Sequence, residues 1–168
     1  GAVALEHARR LADVGISVDI VTTRQSGQTA SPLTSESSSK ITMHGIEVFR
    51  RSNAGTRLRE HAVFVLRGIP TVRRICRRQG ASIIHSHGLL PTSLISLAVP
   101  NVRRIVTVHG SDVPGFNQQK YRGLHSILRP LARLLAAKVD AIVCPSPLMN
   151  NLIEKLAPHS RRVTIVNG

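Results

Sequence analysis

At 168 residues the chain is long enough to bury the core of one ordinary domain. A hydrophobic fraction of 42% argues against wholesale disorder, and the lack of an apolar run of about 18 residues excludes a membrane-spanning helix. The formal charge is +14, with nineteen arginines among the 23 basic residues, which points to polyanionic partners: nucleic acid, anionic lipid or phosphorylated substrates.

The first predicted element is a helix over residues 2–14, where Ala4, Leu5, Ala8, Leu11 and Ala12 recur at helical spacing and Gly15 fits the C-cap. Residues 17–22 alternate as a strand. Residues 25–40 are rich in Ser, Thr, Gly and Gln around Pro32 and read as a loop. A turn at His44-Gly45 precedes a strand over 46–50. Residues 57–79 form a basic helical stretch that Gly68 and Pro70 are expected to interrupt. A strand over 82–85, a helix over 89–97 and a strand over 104–109 follow, then a loop over 110–118. A helix over about 119–137 is expected to kink or divide at Pro130. A strand at 140–144 leads to Ser146-Pro147, an N-cap and first-turn proline for a helix ending at Leu156. The last strand covers 163–166. This helix–strand alternation, with few aromatics and many Val, Ile, Leu and Ala, predicts an α/β fold with a doubly wound parallel sheet.

Two predicted strands end in His-Gly: Ile83-Ile84-His85-Ser86-His87-Gly88 and Ile105-Val106-Thr107-Val108-His109-Gly110-Ser111-Asp112. Ligands of open α/β sheets bind beyond the carboxyl ends of the strands. Glycine there lets a ligand approach the backbone, and His109, Ser111 and Asp112 offer the mixed donors and acceptors that sugars require. Asp112 as a simple turn cap is the competing reading. His85 and His87 share one face of a strand, so a metal site completed by His109 or Asp112 is conceivable, and a satisfied core role for His85 is the plainer alternative. Gly1-Ala2 opens a helix whose free N–H groups could hold phosphate.

Arg67, Arg74 and Arg78 lie roughly along one helical line with Arg73 and Arg77 beside it, either as a solvated face or as a surface for anionic lipid. Nucleic acid is the other polyanion, but one Tyr, three Phe and no Trp leave few platforms for stacked bases. Cys76 and Cys144 have no metal-ligand spacing, and no secretory leader is visible, so a reduced cytoplasmic setting is expected. Three functional readings follow from the residues: a ligand-cleft enzyme, a non-catalytic domain binding a polyanion, and a metal hydrolase on His85, His87 and His109.

The segments Gly1–Ala12 and Gly15–Thr22, the two His-Gly strand ends, and Val163-Thr164-Ile165-Val166-Asn167-Gly168 together resemble, in order and spacing, glycosyltransferase family 4. The resemblance implies the N-terminal, acceptor-side Rossmann-like domain of a GT-B enzyme, spanning 1–168 as a single domain. It implies retaining transfer from a nucleotide-sugar to a lipid-linked or polysaccharide acceptor, with no metal or other cofactor. By position, Gly1 and Ala2 match a Gly-Gly loop near the donor phosphates, with Ala in place of the second glycine. His109 matches the reaction-centre histidine, with Gly110, Ser111 and Asp112 the loop beside it. His87 and Gly88 match the acceptor-side strand end, and Ser146 faces the cleft. The family's first strand would precede Gly1 and its donor domain would follow Gly168. The expectation is therefore a truncated product, inactive alone, with strands 17–22 and 82–85 missing the neighbour between them. A cytoplasmic location, peripheral on the inner face of the membrane, goes with that reading.

Overall fold

The computed structural model describes residues 2–25, 40–48, 54–114, 116 and 125–166. The chain divides into two compact units, residues 1–71 and 72–168.

In the first unit, α1 (Ala2–Asp13) turns Ala8 and Ala12 inward, as the periodicity predicts. It ends where Gly15 takes a φ of +93°, which lets Gly15 N–H donate to Ala12 O and Ile16 N–H to Leu11 O. This pair of bonds satisfies carbonyls that a helix end otherwise leaves open. Strands β1 (Val18–Gln25) and β2 (Ile41–Val48) pair in parallel, from Val18 opposite Ile41 to Gln25 opposite Val48. The expected turn at His44-Gly45 is instead the middle of β2. Parallel pairing with β1 holds both residues extended, and His44 Nε2 meets Asp19 Oδ1 at 2.7 Å across the strands.

The basic helix α2 (Ala54–Gln79) runs without the predicted interruption. Pro70 removes one N–H from the helix, and the turns on either side carry it through. Gly68 is buried, while Pro70 is exposed. The helix crosses the boundary between the units and stops at Gly80, whose φ of +62° again suits glycine.

The second unit is a four-stranded parallel sheet in the order β3-β4-β5-β6. Its elements are β3 (Ile83–His87), α3 (Thr92–Leu97), β4 (Arg103–Thr107), α4 (His125–Lys138), β5 (Ala141–Cys144), α5 (Pro147–Leu156) and β6 (Arg162–Thr164). Helices alternate with the strands as expected, and the mixed α/β, Rossmann-like character holds. Among the described residues, β1 pairs with β2 alone and β3 with β4 alone.

The core is aliphatic. Val106, Val108, Leu135, Ile142 and Ile153 are fully enclosed, each contributing about 1.5–3 kcal/mol by burial. The helix predicted over 89–97 begins later, at Thr92, because Leu89 and Leu90 enter the core as a turn before Pro91. Pro130 sits within α4 and does not divide it. The predicted start of that helix at 119 falls outside the described residues.

Arginines close the loops of this unit. Arg104 donates to Ser96 O and Val99 O, and Arg162 to the carbonyls of Ala157, Pro158 and Ser160. Asp140 accepts from Arg104 N–H and from the Arg103 guanidinium, and these bonds hold its carboxyl below the usual range. Part of the arginine excess therefore serves internal carbonyls rather than an external polyanion.

Candidate active site

Parallel pairing places His85 opposite Ile105 and His87 opposite Thr107, so β3 and β4 reach their carboxyl ends side by side. Two backbone bonds extend the sheet past the strands: Gly88 N–H to Thr107 O at 2.8 Å, and Val108 N–H to Val143 O at 3.1 Å. His109 therefore leaves the sheet just beyond β4, next to the end of β3, with its side chain exposed.

Asp112 ties the two ends together. Only 6% exposed, it accepts from His109 N–H through Oδ1 at 2.8 Å and from Leu89 N–H through Oδ2 at 2.5 Å. The sequence offered two roles for Asp112, a hydroxyl ligand and a turn cap. The observed bonds supply the cap and extend it across two strands. Ser111, its neighbour, is exposed.

The glycines are required by shape. Gly110 has a φ of +85°, and a Cβ there would lie 2.7 Å from Phe116 Cε1 and 3.1 Å from Met149 Cε. Gly88 has a φ of +118°, with Thr92 Oγ1 and Asp112 Oδ2 close to where a Cβ would stand. The Gly88 carbonyl accepts from Thr92 Oγ1 at 2.6 Å and Ser93 Oγ at 3.1 Å. Sequence reasoning did not single out these two hydroxyls. Their signal was a Thr-Ser pair a few residues past a strand-ending glycine, where side-chain hydroxyls commonly bond a nearby carbonyl.

Three imidazoles line this edge. His85 and His87 stack with centroids 4.6 Å apart, and His87 Nδ1 lies 3.4 Å from His109 Nε2. His85 Nε2 meets Thr107 Oγ1 at 2.7 Å. The expectation of a satisfied core histidine is thus half right: His85 has a partner, but it is exposed rather than buried.

Ser146 N-caps α5, accepting from Met149 N–H at 3.2 Å, with Pro147 in the first turn as predicted. At the end of β5, burial pushes the Cys144 thiol up, against the opposing charge of Arg162. That thiol is fully enclosed and structural.

The remaining candidates lie elsewhere. Gly1 is outside the described residues, and Ala2 opens α1. Arg67, Arg73, Arg74, Arg77 and Arg78 are all exposed residues of α2. Arg73 already donates to Ala98 O at 2.7 Å, so it also braces the end of α3. No helix among the described residues is long and apolar enough to cross a membrane.

The two glycines thus make room for the protein's own side chains rather than for the ligand that the sequence suggested. The edge offers imidazoles and a hydroxyl on a braced backbone, which suits binding of a polyhydroxylated ligand and hydrogen bonding to a developing charge. Residues 1–168 match the family model described as Glycosyltransferase Family 4. No curated protein matches the chain.

Proposed function

Because the chain belongs to Glycosyltransferase Family 4, we propose that it forms the acceptor-side part of an enzyme moving a sugar from a nucleotide-sugar to a lipid-linked or polysaccharide acceptor. Glycosyl transfer in general comes with the family, as do a nucleotide-sugar and an acceptor as substrate classes. Retention at the anomeric carbon, a hexosyl donor, a role in making cell-envelope polysaccharide and independence from metal belong to the proposal.

One observation carries it: Asp112 clamps the two His-Gly strand ends side by side, so that His109 projects from a rigid edge. In this reading His109 hydrogen-bonds the transferred sugar or its leaving phosphate. Gly88 and Gly110 shape the turns that carry this edge, and His87, Ser111 and Ser146 bind hydroxyls. The diphosphate that departs develops negative charge, and helix N-termini and cationic side chains would stabilise it. By their match to the family's Gly-Gly loop, Gly1 and Ala2 are assigned to donor phosphate.

The experiment is transfer kinetics of the full-length protein with a panel of UDP-, GDP- and ADP-sugars. His109→Ala should lower kcat/KM by about 10²-fold or more, the scale lost with a transition-state hydrogen-bond donor. Turnover unchanged by the substitution would reject the assignment.

The exposed arginines of α2 favour an acceptor presented at an anionic membrane, with the protein peripheral on the cytoplasmic face. Each basic residue near such a surface contributes about 1 kcal/mol. Arg74, Arg77 and Arg78 are the stronger candidates, since Arg73 is engaged with Ala98. Equal sedimentation with neutral and anionic vesicles would remove this part of the proposal. A non-catalytic domain binding nucleic acid is the alternative, and salt-dependent DNA binding insensitive to His109→Ala would favour it.

A further inference from the structure

His87 and His109 meet nitrogen to nitrogen. Their Nδ1 and Nε2 atoms are 3.4 Å apart, their centroids are 5.6 Å apart, and their planes are inclined by 21°. The centroid separation exceeds the N···N distance by nearly a full ring width. Centroid, nitrogen, nitrogen and centroid therefore lie close to one line. The rings are not stacked face on face; each aims an in-plane nitrogen at the other.

The strand ends that carry the two rings are held in place. Asp112 accepts from His109 N–H and Leu89 N–H, Gly88 N–H is bonded to Thr107 O, and His85 stacks on His87. One proton between the two nitrogens makes a hydrogen bond at this separation. With no proton between them two lone pairs oppose each other, and with two protons the N–H groups collide.

We propose that His87 and His109 share one proton along this line, so that the tautomer of His109 is coupled to that of His87. In the neutral pair the two rings must then match. Either His87 Nδ1–H donates and His109 carries its proton on Nδ1, or His109 Nε2–H donates and His87 carries its proton on Nε2. A mixed pair is disfavoured. His87 is thus a positioning residue: its own tautomer is coupled to whether His109 Nδ1 is a donor or an acceptor. That this nitrogen then faces a sugar rests on the proposed function, whereas the shared proton does not.

The test is long-range ¹H–¹⁵N correlation of the histidine rings in the ¹⁵N-labelled chain, at a pH where both rings are neutral. The expected result is two rings in the same tautomer. His87→Ala should change the His109 tautomer ratio several-fold, the scale of one hydrogen bond. His87→Asn, whose amide group reaches the place of Nδ1, should keep it biased. Slow exchange of the Leu89 amide shows that the Asp112 clamp, and hence the fold of the edge, survives each change. If His87→Ala loses that protection, His109→Asn gives the reciprocal reading on His87. Mixed tautomers in the unmodified chain, or a His109 ratio indifferent to His87→Ala, would overturn the proposal. A changed ratio with unchanged sugar transfer would count against the transfer role of His109 and leave the shared proton standing.

Discussion

Replacing Asp112 separates a structural clamp from a sugar ligand. Its carboxylate is 6% exposed and accepts from two backbone N–H groups. Asp112→Ala deprives both. Leu89 is fully buried, so its N–H finds no water and its loss costs about 1–3 kcal/mol. His109 is exposed and its N–H can recruit solvent, so its loss adds about 0.5–1.5 kcal/mol. The expected total is about 1.5–4.5 kcal/mol in unfolding free energy. Asp112→Asn keeps one acceptor oxygen and turns an NH₂ toward the other N–H, so it should lose roughly half as much. Urea denaturation of the three proteins supplies the comparison, with amide exchange at Leu89 and His109 as the local readout. A pure sugar ligand would leave unliganded stability unchanged. An Asp112→Ala protein within about 0.5 kcal/mol of the parent, the range of an ordinary surface change, would refute the clamp.

Three further outcomes follow from the same geometry. Gly110→Ala should destabilise by at least about 1–2 kcal/mol from its φ of +85° alone, and more from the clash with Phe116. Adding Phe116→Ala should relieve the second part, as a double-mutant cycle would show. Ser146→Ala should cost about 0.5–2 kcal/mol through the lost cap of α5, and Ser146→Gly only a few tenths, both readable by thermal unfolding. Asp140 titrates below its ordinary value in the folded chain because Arg104 N–H and Arg103 bond its carboxylate. Its contribution is therefore present above the unfolded pKa and lost as pH falls through the folded one. The stability difference between the parent and Asp140→Asn should shrink across that acid window, and a difference constant with pH would contradict the linkage.

The fold was legible where local chemistry and tertiary packing agree. Hydrophobic periodicity located α1, and Ser146-Pro147 marked the start of α5 to the residue. The misreadings share a cause: local signals were outweighed by pairing or packing. His44-Gly45 has turn chemistry, but parallel pairing with β1 keeps it extended. Pro70 and Pro130 are helix breakers, yet the surrounding turns carry α2 and α4 through them.

The site was legible as two His-Gly strand ends, since β-branched runs stopping at glycine are visible in one dimension. What joins them was not. Leu89 and Asp112 are 23 positions apart, and nothing local announces that one carboxylate accepts from both loops. His87 and His109 likewise meet only through the β3–β4 register. The exposed position of His85 also depends on what covers β3, which periodicity does not report.

The most direct measurement of the central assignment is kcat/KM of the full-length protein for its most reactive nucleotide-sugar, before and after His109→Ala. An imidazole that binds the transferred sugar or its leaving phosphate predicts a loss of about 10²-fold or more, with the unfolding free energy little changed because the His109 side chain is exposed. Equal kcat/KM in both proteins, at equal stability, would contradict the account.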